Sequence, residues 1–176
     1  MNLECGDIVL YHGTSWSARG IQFLTNSYWN HAAMVTHPQG LNAPVVIEAG
    51  PVVRYADLDI KGDIAIYRDP TLTTQNQYDL RSAAKEMTGK PYDFMLAPRV
   101  LRKLGLWNSF SLICDLIGGR NPIVPHIEDQ FVVCSELVQE IYAIAGLPLL
   151  SGNRLLLPGG ITKVNRLRLV YAKRWH

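Results

Sequence analysis

Apolar positions in the first third of the chain come in short runs parted by turn residues. Residues 8–11 follow Gly6-Asp7. Residues 31–35 are small and apolar and stop at Pro38 and Gly40, and residues 45–49 stop at Gly50-Pro51. Residues 52–55 and 64–68 follow, separated by an acidic turn. Runs of this length between Gly, Pro and Asp predict the strands of an antiparallel meander. Ile21, Leu24 and Tyr28, spaced three and four apart, predict one or two helical turns within 18–28. Leu80, Ala83, Ala84 and Met87 predict a helix over 75–88, with Gly89 at its C-terminal cap. A second clear helix opens near Cys134. Val138, Ile141 and Ala145 share the face of Cys134, and Gly146 and then Pro148 stop it. The alternation Arg166-Leu167-Arg168-Leu169 predicts a terminal strand with an exposed basic face. Strands, then helices, then a strand imply an α+β fold with helices packed on an antiparallel sheet.

Composition narrows the class. A length of 176 residues fits one domain, 1–176, by the usual scale of about 150 residues. With 48% hydrophobic and 18% charged residues, the chain is globular rather than disordered. A net charge of +2 gives no reason to expect a nucleic-acid partner. After residue 150 there are six basic and no acidic residues, which suits either an anionic partner or the exposed face of a strand. Cys5, Cys114 and Cys134 are far apart and form no C-x-x-C pair, so free thiols in a reducing compartment are expected. The N-terminal residues show no secretory pattern, and no apolar run reaches the roughly 18 residues of a membrane span. The expectation is a cytoplasmic protein or one released by another route, of unknown oligomeric state.

Cys134 carries the strongest chemical signal. It follows Phe131-Val132-Val133 and starts a helix, where unpaired N–H groups and the helix dipole favour thiolate, the nucleophilic form. The same N–H groups suit the oxyanion formed when a thiolate attacks a carbonyl. A cysteine on an apolar helix is also ordinary core. A nucleophile needs a base. His31, which opens an apolar strand after Asn30, is the leading candidate among His12, His31, His37, His126 and His176. Glu48 lies inside the next apolar run. If the two strands form a hairpin, Glu48 can orient the imidazole and favour its protonated form. Otherwise it simply faces solvent on the wet side of the sheet.

In order, Gly6-Asp7-Ile8-Val9, Asn30-His31-Ala32-Ala33-Met34-Val35, Ile47-Glu48-Ala49, Gly89-Lys90-Pro91-Tyr92-Asp93 and Phe131-Val132-Val133-Cys134-Ser135-Glu136-Leu137-Val138 resemble the permuted branch of the NlpC/P60 papain-like cysteine hydrolases. Within that branch they are most similar to the YiiX/YebB-like group. The resemblance spans about residues 6–145, and the Cys-Ser-Glu-Leu-Val block is its most specific part. It implies a circularly permuted papain-like α+β fold with the nucleophile at a helix N-terminus, in which the histidine precedes the cysteine. It also implies Cys134 as nucleophile, His31 as base, Glu48 as orienting residue and Tyr92 near the oxyanion.

One departure stands out. Between Tyr92 and Cys134 lie 41 residues, more than the group leads one to expect, with an apolar and basic insertion at about 95–127. Leu96, Val100, Leu104 and Trp107 sit at helical spacing beside Arg99, Arg102 and Lys103. Packed core, a lid, a surface for acyl chains and contact of 95–117 with a membrane surface are all open readings. No phosphate loop and no metal-ligand spacing is present, so no cofactor and no metal are expected. The expectation is a cysteine hydrolase acting on a peptide, an amide or an acyl ester through an acyl-enzyme. A lipid or amide acyltransferase, and a non-catalytic binding module on the same fold, are the alternatives.

Overall fold

The computed structural model describes residues 1–15, 18–19, 22–23, 26–50, 52–91, 134–150 and 156–174. Tyr92, His126 and the 95–127 segment lie outside them. The strands are β1 (Ile8–His12), β2 (His31–His37), β3 (Val45–Ala49), β4 (Val53–Asp57), β5 (Asp63–Arg68) and β6 (Arg168–Lys173). The helices are α1 (Thr74–Met87), α2 (Cys134–Ile144) and the short α3 (Pro158–Ile161). All named strands join one antiparallel sheet in the order β4-β3-β2-β1-β5-β6.

The first four strands form the expected meander. β5 does not extend it. It crosses to the far side of β1, which places the first strand in the interior of the sheet. β1 and β2 are therefore buried on both faces. Ile8, Leu10, Ala32, Met34 and Ile47 pack with Leu80, Met87, Leu137 and Ile141 of the helices. Val9, Ala33, Val35 and Val46 pack on the opposite face with Leu3, Leu58, Ile64 and Ile66. This is why these strands read as continuous apolar runs rather than as an alternation. Side chains still change face at every residue, but neither face is wet.

α2 lies on β2 and β3, and α1 on α2 and β2. α1 starts at Thr73, whose hydroxyl accepts from the Asn76 N–H at 3.2 Å while its own N–H donates to Asn76 Oδ1 at 3.0 Å. This reciprocal cap contributes about 1 kcal/mol. Gly89, in the left-handed region at φ 87°, follows the helix as expected. Its N–H donates to Val53 O, and the Val53 N–H donates to Lys90 O, both at 2.8 Å, so the end of α1 is tied to β4.

Gly6-Asp7 acts as an anchor. Gly6 has φ 94°, and a Cβ there would meet Leu72 Cδ1 at 2.7 Å. Its carbonyl accepts from the Tyr142 hydroxyl of α2 at 2.5 Å. Asp7 is buried and takes Arg68 Nε and Nη2 on its two oxygens at 2.7 and 2.8 Å.

Two local expectations change. Helical residues appear at 18–19 and 22–23; Ile21 and Leu24 lie outside the described residues, and Tyr28 falls beyond Asn26 with its left-handed φ of 45°. The terminal strand begins at Arg168, so Leu167 is core while Leu169 and Val170 are exposed. Opposite Ile66 and Tyr67 the terminal strand carries one extra residue, Val170, and this register shift breaks the simple alternation. Among the described residues no helix is long and apolar enough to cross a membrane.

Candidate active site

Three of the four expected site residues come together. Cys134 is the first residue of α2 and is buried where that helix meets β2. A first-turn residue has no helical acceptor for its N–H, so polar hydrogens collect around the sulfur. The backbone N–H groups of Ala32 and Ser135 donate to it.

His31 opens β2. Its cross-strand neighbour is Tyr11 of β1, whose ring centroid lies 5.6 Å away at 38°. Glu48 of β3 pairs with Ala33, one pleat further along the same face, so His31 and Glu48 are diagonal neighbours within reach of long side chains. His31 Nε2 lies 3.5 Å from Glu48 Oε2. The ring also makes a hydrogen bond with Cys134. Only about a quarter of the His31 side chain is exposed, and less of Glu48.

The electrostatics follow from these contacts. Burial by itself pushes His31 down, but the hydrogen bonds and negative charges of Cys134 and Glu48 outweigh it and raise the imidazole to about 10. Burial pushes the Cys134 thiol up, while the His31 hydrogen bond and charge, with the two backbone N–H groups, hold it below its ordinary value. The His31 hydrogen bond lowers Glu48 against the opposing effect of burial, and Arg54 lowers it further. The arrangement favours thiolate beside imidazolium.

Glu48 is thus paired and mostly enclosed rather than facing water alone. Its other oxygen, Oε1, accepts from Arg54 Nε at 3.1 Å and Nη2 at 2.9 Å. Arg54 was not a sequence-derived candidate. The signal for it was the hairpin: folding back between Ala49 and Val53 sets residue 54 opposite residue 48 with opposite charge.

Two other histidines have different company. His12 stacks on Tyr28 at 4.0 Å, with Nδ1 near Gln22 Nε2 and Tyr28 O. His37 lies at the far end of β2, with Nδ1 3.1 Å from Thr36 Oγ1. His126, His176 and Tyr92 lie outside the described residues, so the expected oxyanion role of Tyr92 has no geometry here.

A family model described as permuted papain-like amidase enzyme, YaeF/YiiX, C92 family, matches residues 2–98. That stretch includes His31 and Glu48 and ends before Cys134. No curated protein matches the chain. Among solved structures it is similar to YiiX from Escherichia coli O157:H7, titled a metalloprotein, with a TM-score of 0.70 over 99% of both chains and 22% identity. At that identity the likeness is one of fold.

Proposed function

The chain belongs to the permuted papain-like amidase family, and on that premise we propose that it cleaves an amide through a thioester on Cys134, with His31 as acid and base and Glu48 as orienting carboxylate. The observation that carries this reading is the His31 ring, in contact with both the Cys134 sulfur and the Glu48 carboxylate. An imidazole has two nitrogens. With Nε2 turned to Glu48, Nδ1 is the one left for the sulfur.

In the first half-reaction the thiol proton resides on His31 and the thiolate adds to the substrate carbonyl carbon. The C–S bond forms and the carbonyl electron pair moves to oxygen. In this reading the N–H of Cys134, without a helical acceptor at the helix start, donates to that oxygen. Collapse of the oxyanion breaks the C–N bond. The His31 proton goes to the departing nitrogen, leaving neutral imidazole and a thioester. In the second half a water gives its proton to His31 as its oxygen adds to the thioester carbon. The C–S bond then breaks, and the acid and the thiolate–imidazolium pair are released.

The solved relative is titled a metalloprotein. A bound metal does not fit the described residues of this chain: no three of their His, Cys, Asp or Glu side chains are grouped to hold an ion. Glu48 Oε1 is moreover already held by Arg54. The steps above use the chain's own side chains and a water.

The test is to trap the acyl-enzyme. Brief exposure to a panel of peptide amides, acid quench and mass spectrometry should show one acyl group on the Cys134 peptide, absent in C134A. Amide turnover retained by C134A would overturn the reading. Acylation by a lipid ester and by none of the amides would replace the amidase with an acyltransferase on the same thiol.

A further inference from the structure

We propose that Arg54 is a positioning residue for this site: its guanidinium holds one oxygen of Glu48 and thereby turns the other onto His31. The inference rests on the triad reading above and extends it by one residue. Arg54 donates from both Nε and Nη2 to Oε1 alone, at 3.1 and 2.9 Å, and Oε2 is the oxygen that faces His31 Nε2 at 3.5 Å. The usual bidentate arrangement spreads an arginine over both oxygens. Here the two oxygens are divided between two partners, so rotation of the carboxylate is stopped from one side while the other side serves the imidazole.

The backbone is built for this. Arg54 and Glu48 are directly opposed in the β3–β4 hairpin, and the Val53 N–H bond to Lys90 O fixes the strand one residue away. Gly50, at the turn, leaves room for the guanidinium. A Cβ there would lie 3.2 Å from Arg54 Nε and 3.5 Å from Cζ. The Arg54 side chain is 57% exposed, and an ion pair with so exposed a partner adds little to stability. Its geometry is better explained by what it does to Glu48.

The titratable and charged groups around the His31 ring, among the described residues, are Tyr11 from β1, Glu48 from β3, Arg54 behind Glu48 from β4, and Cys134 from α2. Tyr11 is neutral across the useful range, since burial and then the charges of Glu48 and Asp59 raise its phenol. Removing Arg54 has two opposed effects on His31. It deletes a cation, which favours imidazolium, and it frees Glu48 to turn away, which disfavours it. The cation is half in water and screened, while Oε2 is the nearer charge, so loss of orientation prevails.

The experiment is an NMR titration of the His31 ring nitrogens in the ¹⁵N-labelled full chain, for wild type, R54M and R54K. Signals are assigned by their loss in H31A. The wild type is expected to titrate well above an ordinary histidine. R54M should lower that midpoint by about one unit. R54K, which keeps a charge but not the fork, should fall between them. A merely structural arginine would change the melting temperature and leave the midpoint in place. An R54M midpoint equal to or above that of wild type overturns the positioning role and leaves the triad standing. A wild-type midpoint near about 6.5 overturns both.

Discussion

Two carboxylates on this sheet are each held by an arginine, and they are held differently. Asp7 is enclosed, and Arg68 bonds both of its oxygens, with the Glu4 N–H adding a third donor at 2.8 Å. These three donors all belong to the frame. Glu48 is partly open, and Arg54 occupies only Oε1, leaving Oε2 to His31. The first pair locks the start of β1 to the end of β5. The second leaves a charge directed at a base. An Asp–Arg pair and a Glu–Arg pair look alike in a residue count, and the division of oxygens tells frame from site.

The comparison breaks most sharply at Asp7. D7N keeps the shape but leaves Arg68, in an enclosed place, with the half-exposed Glu4 as its remaining counter-charge. It should cost about 3 kcal/mol in urea unfolding. The His31 midpoint should stay where it is, because Asp7 is not among its neighbours. The opposite pattern is expected for E48Q. Amide turnover, as kcat/KM, should fall about a hundredfold, or roughly 2.7 kcal/mol. Urea stability should fall by less than it does in D7N, since Arg54, one partner of the lost pairs, is more than half in water. The alkaline limb of its pH–rate profile should fall from about 10, because a neutral amide no longer supports the imidazolium. If D7N moved that limb as far as E48Q does, the division between frame and site would be wrong.

Much of this was legible in the chain. Residues 31–35 and 45–49 read as neighbouring strands because apolar runs are bounded by Gly and Pro. The α2 start at Cys134 was visible because Val138 and Ile141 repeat at helical spacing and Gly146, at φ 74°, ends the pattern. What stayed hidden depends on pairing at long range. Nothing local distinguishes a β5 that follows β4 from one that crosses to β1, because Ile64 and Ile66 suit a buried strand in either place. The Leu169 alternation misled because an extra residue in β6, Val170, shifts its register against β5 and decides which side chains are covered. Arg54 carries no local signal, because a charged residue within a short strand ordinarily marks its wet face. Only its register with Glu48, set by the hairpin, gives it a partner. Gly6-Asp7 was seen as the opening of a strand, while its service as an anchor needs Arg68 and Tyr142, far along the chain.

The account stands on His31 drawing the proton from Cys134. The most direct measurement is the ultraviolet absorbance of the Cys134 thiolate as a function of pH, taken as the difference between the parent and its C134A variant, once for wild type and once for H31A. Wild type should retain thiolate well below the ordinary cysteine midpoint of about 8.5, and H31A should lose it until that midpoint or higher. Superimposable curves for the two would contradict the account.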